Sequence, residues 1–131
     1  MTRNIRLVLA LMVAVAAFAA VAPGASAAGT TRTAILHGSA AFPNATGKAV
    51  FKVDGAKREL QIEVEHIPAL AGQKVRFFVN GNLLGSKVVS SLGAAKISRS
   101  TEKGQTVPAI TDGSTVRVRT TSGTLVASGS F

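Results

Sequence analysis

Apolar and polar side chains alternate along much of this chain, and this period of two constrains its fold more than any other feature. The pattern is strictest over residues 60–66, where Leu60, Ile62 and Val64 fall on one side and polar residues fall on the other. Such alternation is typical of a β-strand with one buried face and one solvated face. No stretch after residue 27 has a convincing helical period, so the sequence predicts an all-β protein.

Turn residues interrupt the alternation about every 8 to 12 positions, as in a small sandwich. They divide the chain into short predicted strands at residues 33–37, 49–53, 60–66, 74–79, 83–89, 95–99, 115–120 and 125–131. Seven or eight such strands in about 100 residues predict a single immunoglobulin-like antiparallel β-sandwich. We expect the sandwich domain to span residues 33–131 after a flexible start at residues 28–32.

Two hairpins can be predicted in more detail. Asn80-Gly81 predicts a two-residue type I′ turn, because both residue types tolerate the positive φ that this turn requires. A second hairpin would join residues 49–53 to residues 60–64, and in one register Phe51 lies opposite Ile62. The same register sets Lys48 opposite Glu65.

The N-terminus has the pattern of an export signal. Arg3 and Arg6 precede an unbroken apolar run over residues 7–21, and Ala25-Ser26-Ala27 follows a Pro-Gly break. This order predicts a secretory signal peptide over residues 1–27, cleaved after Ala27. An uncleaved anchor is the alternative, but the run is shorter than the roughly 20 residues that a membrane-spanning helix needs. Cleavage leaves 104 residues with a formal charge of +7 and no further long apolar run, which predicts a secreted, periplasmic or cell-surface protein.

Three short runs resemble a recurrent bacterial secreted module. They are Val75–Gly81 (VRFFVNG), Gly104–Ile110 (GQTVPAI) and Ser128–Phe131 (SGSF). The resemblance covers nearly all of the chain after residue 27 and implies a small exported all-β protein, with no catalytic residues to carry over. Residues 47–66 are also loosely similar to CHRD-type domains, which usually carry a His-containing segment after the corresponding strand pair; here only His66 stands near it.

Residues able to carry catalysis or bind a metal are few. The chain has no Cys, which excludes disulfides, cysteine zinc sites and a catalytic thiol. His66 has the parity of the buried face of its strand, so we expect a buried structural histidine there, while Glu63 and Glu65 point to the opposite face. His37 could join a metal site only through an unforeseen contact, so the sequence predicts neither a metal site nor a cofactor. A small hydrolase-like enzyme that pairs His66 with a carboxylate from another strand remains an alternative.

The excess of basic residues is the one global feature that points to a partner. Arg76, Arg117 and Arg119 have outward parity beside apolar neighbours, and we predict that they contact an anionic partner. Candidates are a cell-wall polymer, an acidic polysaccharide or a lipid surface. Specific nucleic-acid binding is not predicted, because the five aromatic residues after residue 27 are all Phe and no basic run exceeds two residues.

The predicted function is therefore that of an exported, non-enzymatic β-sandwich module that is associated with a surface or binds an anionic partner. Basic sheet faces or loops would make the contact. Besides the His66 hydrolase, a second alternative is an accessory subunit that pairs with a partner through an edge strand.

Overall fold

A computed structural model describes residues 29–131, and the predicted signal peptide lies outside these described residues. The prediction of an all-β, antiparallel fold is confirmed. The strands are β1 (Gly29–Gly38), β2 (Thr46–Asp54), β3 (Lys57–Glu65), β4 (Lys74–Val79), β5 (Asn82–Val88), β6 (Ala95–Ser100), β7 (Thr115–Thr120) and β8 (Leu125–Ser130). Short 3-10 turns at Pro68–Leu70 and Thr101–Lys103 lie in the connections. Within residues 29–131, no helix is long and apolar enough to cross a membrane.

The eight strands form one continuous sheet in the order β5-β4-β7-β8-β1-β2-β3-β6. An immunoglobulin-like sandwich divides its strands between two sheets, whereas here two four-stranded halves are joined where β8 pairs with β1. That join has only two residue pairs, His37 with Ser128 and Gly38 with Ala127. The sheet curls so far that its two edge strands, β5 and β6, come into contact and almost close it.

The core lies inside the curled sheet and is built by the alternating apolar residues. Leu60, Ile62 and Val64 have no exposed surface, as their alternation predicts. Phe77 is the largest of the fully buried side chains in residues 29–131. In the long connection before β7, Val107 and Ile110 are also buried in this core.

Tight turns decide the registers of the hairpins. Asn80 and Gly81 have φ values of 50° and 82° and join β4 to β5, which confirms the predicted type I′ turn. Between β2 and β3, Asp54 pairs with Lys57 across a two-residue turn.

The predicted register of the β2–β3 hairpin is wrong by two residues. Phe51 lies opposite Leu60 instead of Ile62, and Lys48 lies opposite Glu63 instead of Glu65. A slip of two residues keeps every side chain on its predicted face, because the side-chain period of a strand is two. β1 also differs from the prediction, since it begins at Gly29 within the segment that was expected to be flexible.

Candidate anion-binding face

The three predicted arginines lie together on the outer side of β4 and β7, which are neighbours in the sheet. Arg76 lies directly opposite Arg119, and Arg117 lies opposite Phe78. Directly opposed residues of an antiparallel pair are about 4.5 to 5.5 Å apart at their Cα atoms and point to the same face. The sequence predicted the orientation of each arginine, and the pairing of β4 with β7 brings them together.

Buried residues on the inner side of the same strands hold these arginines in place. Phe77 lies opposite Val118, and neither side chain has any exposed surface. Because successive residues of a strand point to opposite faces, these two fix the outward direction of their arginine neighbours. Arg76 and Arg117 are exposed, and Arg119 is half-buried.

The arginines have no acidic partner in the described part of the chain. Its ion pairs are Arg32 with Asp112 and Lys57 with Glu102, and both lie elsewhere. Arg119 donates a hydrogen bond from Nη1 to the carbonyl oxygen of Gly123 at 3.0 Å, which orients the guanidinium without neutralising it. Like charges directly opposite each other destabilise a sheet, so an anion bound across Arg76 and Arg119 would relieve an unfavourable contact.

Acidic residues are distributed unevenly between the two halves of the sheet. The half formed by β5, β4, β7 and β8 has no acidic residue and carries Lys74, Arg76, Lys87, Arg117 and Arg119. The other half carries Asp54, Glu59, Glu63 and Glu65 among its lysines and arginines. We define the basic face as the outer side of β4 and β7 with Lys74, Arg76, Arg117 and Arg119. Lys74 was not among the predicted contact residues, although it has the same parity as Arg76.

The outer side of the second half compensates its own charge. Glu63 lies between Lys48 on β2 and Lys96 on β6, and Lys52 lies opposite Glu59. A hydrogen bond with the Glu65 side chain, burial and the negative charge of Glu65 together raise the pKa of Glu63, while the two lysines oppose this rise. None of these lysines forms an ion pair with Glu59 or Glu63, but the nearby carboxylates make the net positive charge of this side lower than that of the basic face.

The raised pKa of Glu63 predicts a pH dependence of stability. The folded protein holds this proton more tightly than the unfolded chain, so the associated stabilisation is full below the ordinary pKa of glutamate. That stabilisation is lost as the pH rises through the raised pKa. Glu63→Gln cannot ionise and is expected to flatten this part of the curve when the free energy of unfolding is measured in urea between about pH 3 and pH 7. Identical curves for the variant and the wild type would contradict the assignment.

The two histidines lie away from the basic face. The prediction that His66 is buried is wrong: it follows the end of β3 with a φ of 61° and is exposed. Its Nδ1 lies 2.7 Å from Oγ1 of Thr46, and His37 lies opposite Thr46 in the β1–β2 pair. No carboxylate among residues 29–131 forms an ion pair with His66. No group of three metal-ligating side chains (His, Cys, Asp or Glu) occurs in that range either.

The two edge strands face each other across the seam of the sheet. Arg99 of β6 donates a hydrogen bond from Nη2 to the carbonyl oxygen of Leu84 on β5 at 3.0 Å. A side chain therefore spans the gap where the sheet lacks strand pairing. Pairing with a partner through this edge of β5 would have to displace that contact.

Comparisons with known proteins give no family assignment. No protein family matches the chain, and no curated protein matches it.

Proposed function

We propose that this protein is an exported, non-enzymatic binding module whose basic face contacts an anionic lipid surface. The proposal rests on one observation: Arg76, Arg117 and Arg119 lie on two adjacent strands, in a half of the sheet whose strands have no acidic residue. Arginine is well suited to phosphate because its planar guanidinium can donate two parallel hydrogen bonds. The N-terminal pattern of a signal peptide supports export to a compartment where such a surface is accessible.

Exposed apolar side chains beside the basic face favour a lipid surface over a soluble polymer. Leu83 lies opposite Phe78, and Val88 lies opposite Lys74, so both belong to the outer side of the sheet. They are 57% and 56% exposed. At an anionic membrane, cationic side chains are attracted to the headgroups and apolar side chains are buried at the acyl boundary, so both contribute to binding. A hydrophilic polyanion attracts only the cationic side chains.

The proposal can be tested by binding to vesicles. Residues 28–131 would be mixed with vesicles of phosphatidylglycerol and phosphatidylcholine, and with phosphatidylcholine alone, and binding measured by co-sedimentation. Each basic side chain near an anionic membrane contributes about 1 kcal/mol, so the Arg76→Gln/Arg119→Gln variant is expected to bind the anionic vesicles about 30-fold more weakly. Raising the salt concentration should weaken binding of the wild type, since exposed charges are screened.

A matched control separates the basic face from the net charge of the protein. The Lys48→Gln/Lys96→Gln variant loses the same two charges from the half-sheet where Glu63 lies between these lysines. It is expected to bind anionic vesicles within about 3-fold of the wild type, because acidic residues lie among the lysines on the outer side of that half. Equal losses in the two variants would contradict the proposal. Retention of a soluble anionic polysaccharide with no binding to anionic vesicles would contradict the lipid assignment.

A further inference from the structure

A cavity of about 550 Å³ lies at one end of the seam between the edge strands. It is bordered by the end of the β4–β5 hairpin, by Arg99 of β6 and by the connection before β7. Its lining includes Val79, Leu84, Arg99, Gln105, Thr106 and Pro108. Its volume lies within the range of sites that hold small organic ligands, which are mostly apolar with a few polar groups.

Arg99 points toward the inside of the curled sheet, where a charged residue is unusual. It lies opposite Leu60 of β3, which has no exposed surface, and therefore shares its inner face. Gly85 on β5 provides the space for this side chain. A Cβ atom at Gly85 would lie 2.6 Å from Nη2 of Arg99 and 2.7 Å from Cδ1 of Ile97.

The guanidinium of Arg99 is fixed in position but is not neutralised. Nη1 donates to the carbonyl oxygen of Ser98 and Nη2 to that of Leu84, both at 3.0 Å. These acceptors carry no net charge, and Arg99 takes part in neither of the ion pairs in residues 29–131. A guanidinium has five N–H donors, so donors remain for a ligand beyond the two used here.

We propose that this cavity binds a small amphipathic carboxylate. The carboxylate accepts hydrogen bonds from Arg99, and the hydrocarbon chain lies against Leu84 and Pro108. A carboxylate matches the fixed, planar donor geometry of arginine and supplies the charge that the two carbonyl oxygens do not. The apolar part of the lining gains from burying a hydrocarbon chain, and it offers no such gain to a small inorganic anion.

This proposal does not depend on the function of the basic face. Arg99 lies on the inner side of the sheet, whereas the basic face is on the outer side of β4 and β7. Leu83 borders both regions, but no variant proposed for either test changes it, so vesicle binding and ligand binding can fail separately.

The direct test is to titrate the full chain with sodium octanoate and to monitor binding through the amide chemical shifts in ¹⁵N NMR. Octanol has the same hydrocarbon length without the carboxylate and is expected to bind at least about 10-fold more weakly, because it lacks the charge-assisted hydrogen bonds. The shifts are expected to concentrate around residues 79–84, 99 and 105–108. Equal binding of octanol and octanoate, or shifts confined to other regions, would overturn the proposal.

Variants test the role of Arg99 and of the cavity itself. Arg99→Gln is expected to weaken octanoate binding by about 10-fold or more. Arg58→Gln makes the same change at an exposed site on β3 and is expected to leave binding unchanged. Because Arg99 also holds Leu84, a second variant is needed that leaves the strands intact. Thr106→Trp fills the cavity from the connection before β7 and is expected to abolish octanoate binding. Full binding by Thr106→Trp would refute the site. Equal losses in Arg99→Gln and Arg58→Gln would refute it as well.

Discussion

Replacing Phe77 by alanine is expected to lower the free energy of unfolding by about 3 to 5 kcal/mol, the usual cost of removing a fully buried phenylalanine. Phe77 has no exposed surface and lies between Gly85 of β5 and Val118 of β7. Its removal leaves a cavity beneath the strand that carries Arg76. Because domains of this size have a total stability of about 5 to 15 kcal/mol, the loss should be visible in urea unfolding followed by far-UV circular dichroism.

The neighbouring phenylalanine provides a matched control. Phe78 points to the outer side of the same strand, where it is half-buried opposite Arg117. Phe78→Ala makes the same chemical change one residue away, and we expect less than half of the effect because less apolar surface returns to water. Similar losses at both positions would show that the two faces of β4 are buried to a similar extent, which would contradict the placement of the core.

This contrast also shows which part of the fold could be predicted from the sequence. Alternation assigned Leu60, Ile62 and Val64 to the inner face, and the structure agrees. Alternation specifies only a face, so it could not distinguish the predicted β2–β3 register from one shifted by two residues. The two-residue turn between Asp54 and Lys57 makes that choice.

The sequence alone could not predict which distant strands pair with each other. The Asn80-Gly81 turn predicts the β4–β5 hairpin, because the two turn residues lie directly between the strands that they join. The pairs β3–β6, β4–β7 and β1–β8 join segments that are far apart in the chain, and no local pattern selects them. The expected sandwich and the observed single sheet share the strands and the buried faces. What distinguishes them is the short join between β8 and β1.

The candidate sites show the same division. Parity alone placed Arg76, Arg117 and Arg119 on an outer face, whereas their proximity depends on the β4–β7 pairing. Arg99 was not predicted as a site residue, because its inward direction follows from its position opposite Leu60 on β3. A glycine within the predicted strand at Gly85 was the available signal, since such a glycine can mark a close approach of another group. His66 departed from its predicted burial because the left-handed backbone at this residue ends the alternation.

Gly129, beside the join between the two halves of the sheet, is expected to tolerate no side chain. A Cβ atom at this position would lie 2.1 Å from the carbonyl oxygen of Ile35 and 3.0 Å from Cδ2 of Leu36. The nearer atom belongs to the backbone of β1, so a side-chain rotation cannot remove the clash. Gly129→Ala is therefore expected to destabilise the fold by about 3 kcal/mol, at the upper end of the usual cost of overpacking.

A glycine at the other end of β1 controls for the general effect of Gly→Ala in a strand. The nearest atom to a Cβ at Gly29 is the carbonyl oxygen of Val53, at 4.0 Å, which is an ordinary contact. Gly29→Ala is expected to change the free energy of unfolding by less than about 1 kcal/mol. We expect a small increase, because alanine lowers the conformational entropy of the unfolded chain. If Gly129→Ala were as mild in the same urea titration, β8 and β1 would not approach as closely as described. The join between the two halves of the sheet would then be looser than the contact at Ile35 implies.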